Sequence, residues 1–271
     1  MKKTILLLTT LAFAGLFSAP AFSSDLESVV SRARAAVAPE RVLSSVETLT
    51  FDADVFSADG NKAYGIFLQF KRPYFMRELV SRTETIEPDK DFFYPEENAK
   101  PAEKIVYEIE IETICDGNEG VRIIRNLTTK ERTVDVLPAS EVIVRRAFTS
   151  ANLDFYKILS ATEGTTVFKG EQIDNGKKVN VVEYNYNDGL KIVRAFDAAT
   201  GALFSTTVNN EKTYDVGEKM LTGGLIFLDG SRSVDANGNP KNTFKFKKIL
   251  VNENLPDSLF HVSLSDLFLN E

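Results

Sequence analysis

Tryptophan is absent from this 271-residue chain, histidine and cysteine occur once each, and there are only three methionines. The single histidine lies in Leu259-Phe260-His261-Val262, where packing or a rim position accounts for it. With one His and one Cys, the usual zinc sets and His-based nucleophile dyads have no ready residues, which leaves only carboxylate or lysine variants. Cys115 cannot form an internal disulfide, and even an oxidising compartment does not require one. The alternating stretch before it makes Cys115 a packed or partly exposed strand-end residue. No glycine-rich phosphate loop is present, and no cofactor or metal is expected. Basic residues are the minority, 32 against 39 acidic, so the clustered positive charge that nucleic-acid binding requires is missing. Beyond residue 17 no apolar run approaches the length of a transmembrane helix, so no stable membrane span is expected.

What is present begins with a three-part leader: basic Lys2 and Lys3, an apolar run from Ile5 to Phe17, and the small-residue site Ala19-Pro20-Ala21. Residues 1–21 are therefore expected to be a cleaved signal peptide, with Ser23 as the alternative cleavage point. Its loss would bring the net charge from −7 to about −9. No cysteine follows it to receive a lipid, so the mature protein is expected to be exported, soluble and unlipidated. Length alone allows one or two domains. No Pro/Gly/Ser-rich linker divides the chain, so residues 22–271 are expected to form one domain. Glu87–Pro101 reads as a long loop inside a sheet.

Periodicity then orders the elements. Leu26, Val29, Val30, Ala33, Ala36 and Val37 recur at helical spacing, and Pro39 interrupts the helix before a short second piece reaching Ser45. From Thr48 the period becomes two: Leu49, Phe51, Ala53 and Val55 alternate with polar residues, and Tyr64, Ile66, Leu68 and Phe70 do the same after the Ala58–Asn61 turn. A third strand spans Phe75 to Ser81. Ile105, Tyr107, Ile109 and Ile111 alternate with Glu108, Glu110 and Glu112, which places those three carboxylates on a hydrated face. Two further strands follow, then one or two helices between Ser140 and Leu159. Strands near Thr165–Ile173, Lys178–Tyr186, Lys191–Asp197 and Ala202–Asn209 form a hairpin meander, and two more lie around Leu225–Ser231 and Thr243–Val251. A short helix is expected near Ser263. Asp235-Ala236-Asn237-Gly238-Asn239 lacks the Gly and Glu that a calcium loop needs and reads as a hairpin turn. Asn126-Leu127-Thr128 is a glycosylation sequon in form only.

Strict alternation buries one face of each strand, so ten or so such strands predict one large antiparallel sheet with one apolar side. Two helical segments are small for covering it. The expected architecture is mainly β within an α+β class: a curved sheet around two helices, with apolar surface left for a ligand. The 20 Phe and 8 Tyr spread along these strands suit an ordinary core and, equally, an acyl-binding surface.

Several segments in order resemble the LolA/LolB-like periplasmic lipoprotein carrier superfamily, including the outer-membrane lipoprotein-sorting proteins. They are Val46–Phe51 after the first helix, Phe67-Leu68-Gln69-Phe70-Lys71-Arg72-Pro73-Tyr74-Phe75-Met76-Arg77, Gly170–Asp174, Phe196–Gly201, Gly223–Phe227 and Val251–Phe260. The resemblance implies a strongly curved, open half-barrel whose helices form a lid over an apolar concave face. It implies a non-enzymatic periplasmic protein that binds a lipid or a lipoprotein acyl chain and works with an envelope transporter or receptor. The lining would come from Phe51, Ile66, Leu68, Phe70, Tyr107, Ile109, Tyr184, Phe196, Phe227 and Phe246. Arg77 would hold the lid or meet a polar head group. The other class is a protein-interaction or stress-sensor module with a vestigial cavity, its acidic strand facing a basic partner.

Overall fold

The structure, a computed structural model, describes residues 22–86 and 104–261. The leader, the Glu87–Pro101 loop and the helix expected near Ser263 lie outside the described residues. The apolar-periodic segment forms α1 (Phe22–Val37), and Pro39 separates it from a one-turn α2 (Glu40–Leu43). Six strands follow: β1 (Thr48–Ser57), β2 (Lys62–Lys71), β3 (Phe75–Ile86), β4 (Ile105–Cys115), β5 (Gly120–Asn126) and β6 (Arg132–Val136). The helical segment is a single α3 (Ala139–Leu153). After it come β7 (Gly164–Asp174), β8 (Lys177–Tyr186), β9 (Lys191–Asp197), β10 (Leu203–Val208), β11 (Glu211–Thr222), β12 (Leu225–Val234) and β13 (Pro240–Val251), then a 3-10 turn at Asp257–Phe260.

All of these strands join one antiparallel sheet in the order β6-β5-β4-β3-β2-β1-β13-β12-β11-β10-β9-β8-β7. The chain enters at the middle, runs outward by hairpins to β6, crosses on α3 to the opposite edge at β7, and returns by hairpins until β13 pairs with β1. The sheet does not close, because β6 and β7 each keep one unpaired edge. Crossing on α3 draws that helix over β2 and β3, while α1 packs against β7 and β12. The result is an open, curved half-barrel with its helices on the inner face.

Two expectations need correction. The meander contains a strand that the pattern does not reveal, β11, whose sequence Glu-Lys-Thr-Tyr-Asp-Val-Gly-Glu-Lys-Met-Leu-Thr alternates poorly. The reason is a bulge between Val216 and Lys219, which resets which side chains face inward. Gly217 makes it possible: its φ is +98°, and a Cβ there would fall 1.8 Å from an Asp229 carboxylate oxygen. Nor is the sheet apolar on one side only. Ile114, Val121 and Ile123 cluster on the outer face of one wing, and Val179, Val181 and Ala195 on the outer face of the other.

The main core sits on the inner face. Val37, Ala38 and Leu43 from the first helices and Leu153 from α3 meet Leu49, Phe70, Met76 and Leu225. A second cluster joins Ala33, Ala147 and Ala151 to Val182, Tyr184, Tyr186, Ile192 and Phe196. Small alanines let both helices approach the sheet closely. Cys115 is buried against Leu137 and Val142, and burial pushes its thiol pKa up, which keeps it protonated and inert.

Candidate functional site

Register decides which residues share the inner face. Across β1, β2, β3 and β4 the rows read Leu49-Phe70-Met76-Cys115, Phe51-Leu68-Glu78-Thr113, Ala53-Ile66-Val80-Ile111 and Val55-Tyr64-Arg82-Ile109. Tyr107 lies one pleat beyond Ile109 on the same side. On β13, Phe246 and Phe244 stand opposite Ala53 and Val55. Phe227, Tyr184 and Phe196 face the same helices from the other wing. The ten apolar residues expected to line the concavity thus share one face.

They do not share one environment. Phe70, Tyr184 and Phe196 are fully buried beneath the helices and belong to the core. Phe51, Leu68 and Phe227 pack on the core's margin, and Ile66, Tyr107, Ile109 and Phe246 are half-buried beyond it. Phe51 is the pivot of an aromatic cluster, with ring centroids 6.2 Å from Phe70, 6.0 Å from Phe227 and 5.8 Å from Phe246. The pairs with Phe70 and Phe227 are edge-on and each adds ~0.5–1.5 kcal/mol beyond area burial. Phe148 of α3 touches Phe70 at 5.8 Å and ties the helix to this cluster.

The helices are held by arginines that the sequence reading missed. Arg72, in the β2–β3 turn, donates to Val46 O (2.8 Å), to Asp154 Oδ1 (2.8 Å) and to Leu153 O (2.9 Å), gripping the C-terminal end of α3. Arg34 of α1 donates to Asp154 O and to Phe155 O (2.8 Å) and pairs with Glu40 at 2.6 Å. Arg145 of α3 reaches Glu78 of β3 at 3.2 Å. Cations at a helix C-terminus also offset its dipole. Directly after this clamp, Phe155 and Tyr156 both adopt left-handed φ angles, 45° and 68°, an expensive pair for aromatic residues.

Among the described residues Arg77 makes no hydrogen bond or ion pair to a helix. It stands opposite Gln69 and therefore points away from the helices, where it binds Glu112 at 2.7 Å and Gln69 at 3.1 Å. Glu112 is accordingly not hydrated: it is buried between Arg77 and Arg125, the latter at 2.6 Å. Burial works to raise its pKa, but the hydrogen bonds from Arg125 and Arg77 outweigh it and hold the carboxyl below its usual range. His261 lies 3.3 Å from Asp116 at the rim, and Phe260 stacks on Phe75.

The second wing carries polar groups inside. Arg194 of β9 is only 7% exposed; it donates to Ala151 O of α3 at 3.0 Å, and its Nε has no partner. Its guanidinium lies 4.7 Å from the Tyr156 ring centroid and 5.3 Å from that of Tyr184. Tyr184 donates its hydroxyl to Tyr156 O at 2.9 Å. Asp215 of β11 is half-buried, and its burial pushes the carboxyl pKa up to about 7, with Arg194 acting to lower it. A signal for Arg194 exists in Ile192-Val193-Arg194-Ala195-Phe196, where a charge occupies an inward position. None exists for Asp215, which sits in the unrecognised strand.

An open groove of about 360 Å³ lies at the far ends of β2, β3 and β4, bordered by Tyr64, Arg82, Ile109, Glu110 and Leu127. A cavity of about 10 Å³ lies beside Arg194, Tyr156 and Tyr186. Among the described residues no cluster of His, Cys, Asp and Glu could hold a metal ion, and no helix is long and apolar enough to cross a membrane.

With that geometry in place, solved structures supply a comparison. A domain from Vibrio parahaemolyticus named for outer membrane lipoprotein sorting superposes with a TM-score of 0.50 at 10% identity, covering 87% of this chain and 95% of that one. The fold is LolA-like. A LolA superfamily protein from Nitrosomonas europaea aligns at 11% identity and TM-score 0.47, over 88% of this chain and 97% of that chain. A DUF1329 family protein from Desulfovibrio piger aligns at 10% identity and TM-score 0.48, over 87% and 97%. No family model matches the sequence, and no curated protein does. What these comparisons establish for this chain is its fold.

Proposed function

We propose that this protein is a non-enzymatic periplasmic carrier, exported by its leader, that binds a lipid or a lipoprotein acyl chain in outer-membrane lipoprotein sorting or transport. One observation carries the reading: the inner face does not end with the core. Beyond the residues sealed by α1 and α3, the half-buried Phe51, Ile66, Leu68, Tyr107, Ile109, Phe227 and Phe246 continue as an apolar surface under an open half-barrel. An acyl chain would gain ~0.8 kcal/mol per CH₂ buried there. The arginine clamp at the end of α3 supplies a lid fastened by polar bonds, which can exchange with water more readily than a packed core can separate. The LolA-like fold agrees, and a transporter or receptor in the envelope would be the donor or acceptor.

The interaction-module reading has less behind it. Its acidic surface loses Glu112, which is spent on Arg77 and Arg125.

The test is titration with a fluorescent fatty-acid probe. Wild-type protein should take it up, and Ile66→Gln or Phe246→Gln should lower uptake at least several-fold with little change in melting temperature. No uptake by folded wild-type protein would overturn the proposal, as would loss of binding only through global unfolding of both variants.

A further inference from the structure

The β11–β12 hairpin leaves three large aliphatic side chains exposed: Leu221 at 73%, Ile226 at 38% and Val216 at 37%. Alternation explains two of them. Leu225 and Phe227 turn inward to the core, so Ile226 between them turns outward, and its register partner Leu221 goes with it. The next outward pair is Lys219 opposite Leu228, and beyond the bulge Val216 stands opposite Gly230, which pairs in turn with Lys245 of β13. At the hairpin tip Thr222 donates its hydroxyl to Ile249 O at 3.0 Å, which brings the preceding residue, Lys248, to the same corner. Lys248 stands opposite Asp52, on the outer face of β1.

The cations of this corner are unspent. Lys219, Lys245 and Lys248 are exposed, and among the described residues their ammonium groups make no hydrogen bond or ion pair. The carboxylates that could neutralise them are taken: Lys247 holds Asp52 at 2.8 Å and Asp54 at 3.4 Å, and Lys62 holds Asp54 at 2.7 Å. Against the three lysines the hairpin sets one exposed carboxylate, Glu218 at the bulge. A chain with 39 acidic and 32 basic residues thus gathers free positive charge around exposed aliphatics in one place. Composition then separates the partners. Protein interfaces are depleted in lysine and anchored by Trp, Tyr or Arg, none of which stands among these residues. A bilayer surface calls for the opposite set, aliphatics that enter the acyl boundary and long lysine stems that reach anionic head groups.

We propose that the outer side of the β11–β12 hairpin docks on an anionic phospholipid bilayer, with Leu221 and Ile226 entering the head-group boundary and Lys219, Lys245 and Lys248 meeting the lipid phosphates. The proposal goes beyond the acyl-binding reading and does not depend on it, since the inner face takes no part. The net negative charge of the whole chain does not oppose it. At physiological salt, charges more than a Debye length of ~8 Å from the membrane are screened, so the membrane responds to the corner that touches it. Each lysine near an anionic surface raises binding about fivefold, and the three together about a hundredfold. Burying most of the Leu221 side chain adds about tenfold. Contributions of that size give reversible attachment, far short of an inserted helix.

The experiment is flotation of the exported protein with vesicles of pure phosphatidylcholine and with vesicles containing about one-third phosphatidylglycerol, at ~50 mM and ~500 mM NaCl. At low salt the wild-type protein should partition into the anionic vesicles about a hundredfold more strongly than into the neutral ones, and high salt should remove most of that difference. Combining Lys219→Gln, Lys245→Gln and Lys248→Gln should abolish the anionic preference, and Leu221→Asn should lower partition about tenfold. All four side chains are exposed, so melting temperatures should not change. Wild-type protein that ignores anionic vesicles would overturn the inference, as would binding that neutral vesicles match or that the triple variant retains. Self-association or a protein complex that needs Leu221, with no vesicle binding, would overturn it in favour of a protein partner. Fatty-acid uptake is read separately, so failure here leaves the acyl-binding proposal standing.

Discussion

Replacing Asp215 with Asn should make the protein more stable at pH 8 than at pH 5 relative to wild type, because the wild-type carboxyl is held where ionisation is unfavourable. In the unfolded chain an Asp titrates near 3.8, whereas in the fold its pKa rises to about 7. Below pH ~4 both states carry the proton. Between pH 4 and 7 the folded state keeps a proton that the unfolded chain has released, so stability falls by ~1.4 kcal/mol per pH unit, and above pH 7 the loss is complete. Three units would amount to ~4 kcal/mol, of which about two, ~2.6 kcal/mol, fall between pH 5 and pH 8; the surface that Asp215 retains screens part of this, so about 1–2.5 kcal/mol is expected over that interval. Asn carries no charge and removes the dependence, at the price of a buried amide in place of a buried acid. Urea unfolding of both proteins at pH 5 and pH 8 measures the difference. For a domain of this size 1–2.5 kcal/mol corresponds to roughly 2–10 °C in melting temperature. Parallel pH profiles for wild type and Asp215→Asn would refute the reasoning and show that Asp215 is hydrated or paired.

Two further outcomes follow from the ion pairs. Arg72→Ala removes two hydrogen bonds from the end of α3 and a third from Val46 O, and leaves the partly buried Asp154 unpaired; it should raise hydrogen exchange in α3 well before it affects β1 or β13, and unchanged α3 protection would show that the clamp is dispensable. Glu112→Gln strands Arg77 and Arg125 without a counter-charge and should cost about 3–5 kcal/mol in denaturant unfolding, whereas a loss below ~1 kcal/mol would mean that solvent already screens the trio.

The sheet was legible because most of its strands alternate cleanly. Phe51 to Val55 and Tyr64 to Phe70 have a single inward face, and register keeps their apolar residues on that one face of the sheet. Where a bulge resets the alternation, legibility ended: Val216-Gly217-Glu218 hides β11, and with it Asp215. Which face a residue takes was readable, but how deeply it is buried was not. Phe70 and Phe246 have the same pattern in sequence, yet the helix crossing over β2 seals the first and leaves the second at its margin. Arg77 and Glu112 misled for a related reason. A polar residue on an outward strand position looks hydrated, and only cross-strand register brings Gln69, Arg77, Glu112 and Arg125 into one buried network. The clamp of Arg34, Arg72 and Arg145 depends on contacts across more than a hundred residues in places, which no local pattern encodes.

The central claim is that the inner face of the half-barrel holds an acyl chain. Native mass spectrometry of protein isolated gently from the envelope tests it most directly, with organic extraction to identify any bound species. The account predicts about one acyl-bearing ligand per chain, displaced when Ile66 or Phe246 is replaced by Gln. A uniformly ligand-free mass, from folded protein that also takes up no fatty acid when it is offered, would contradict it.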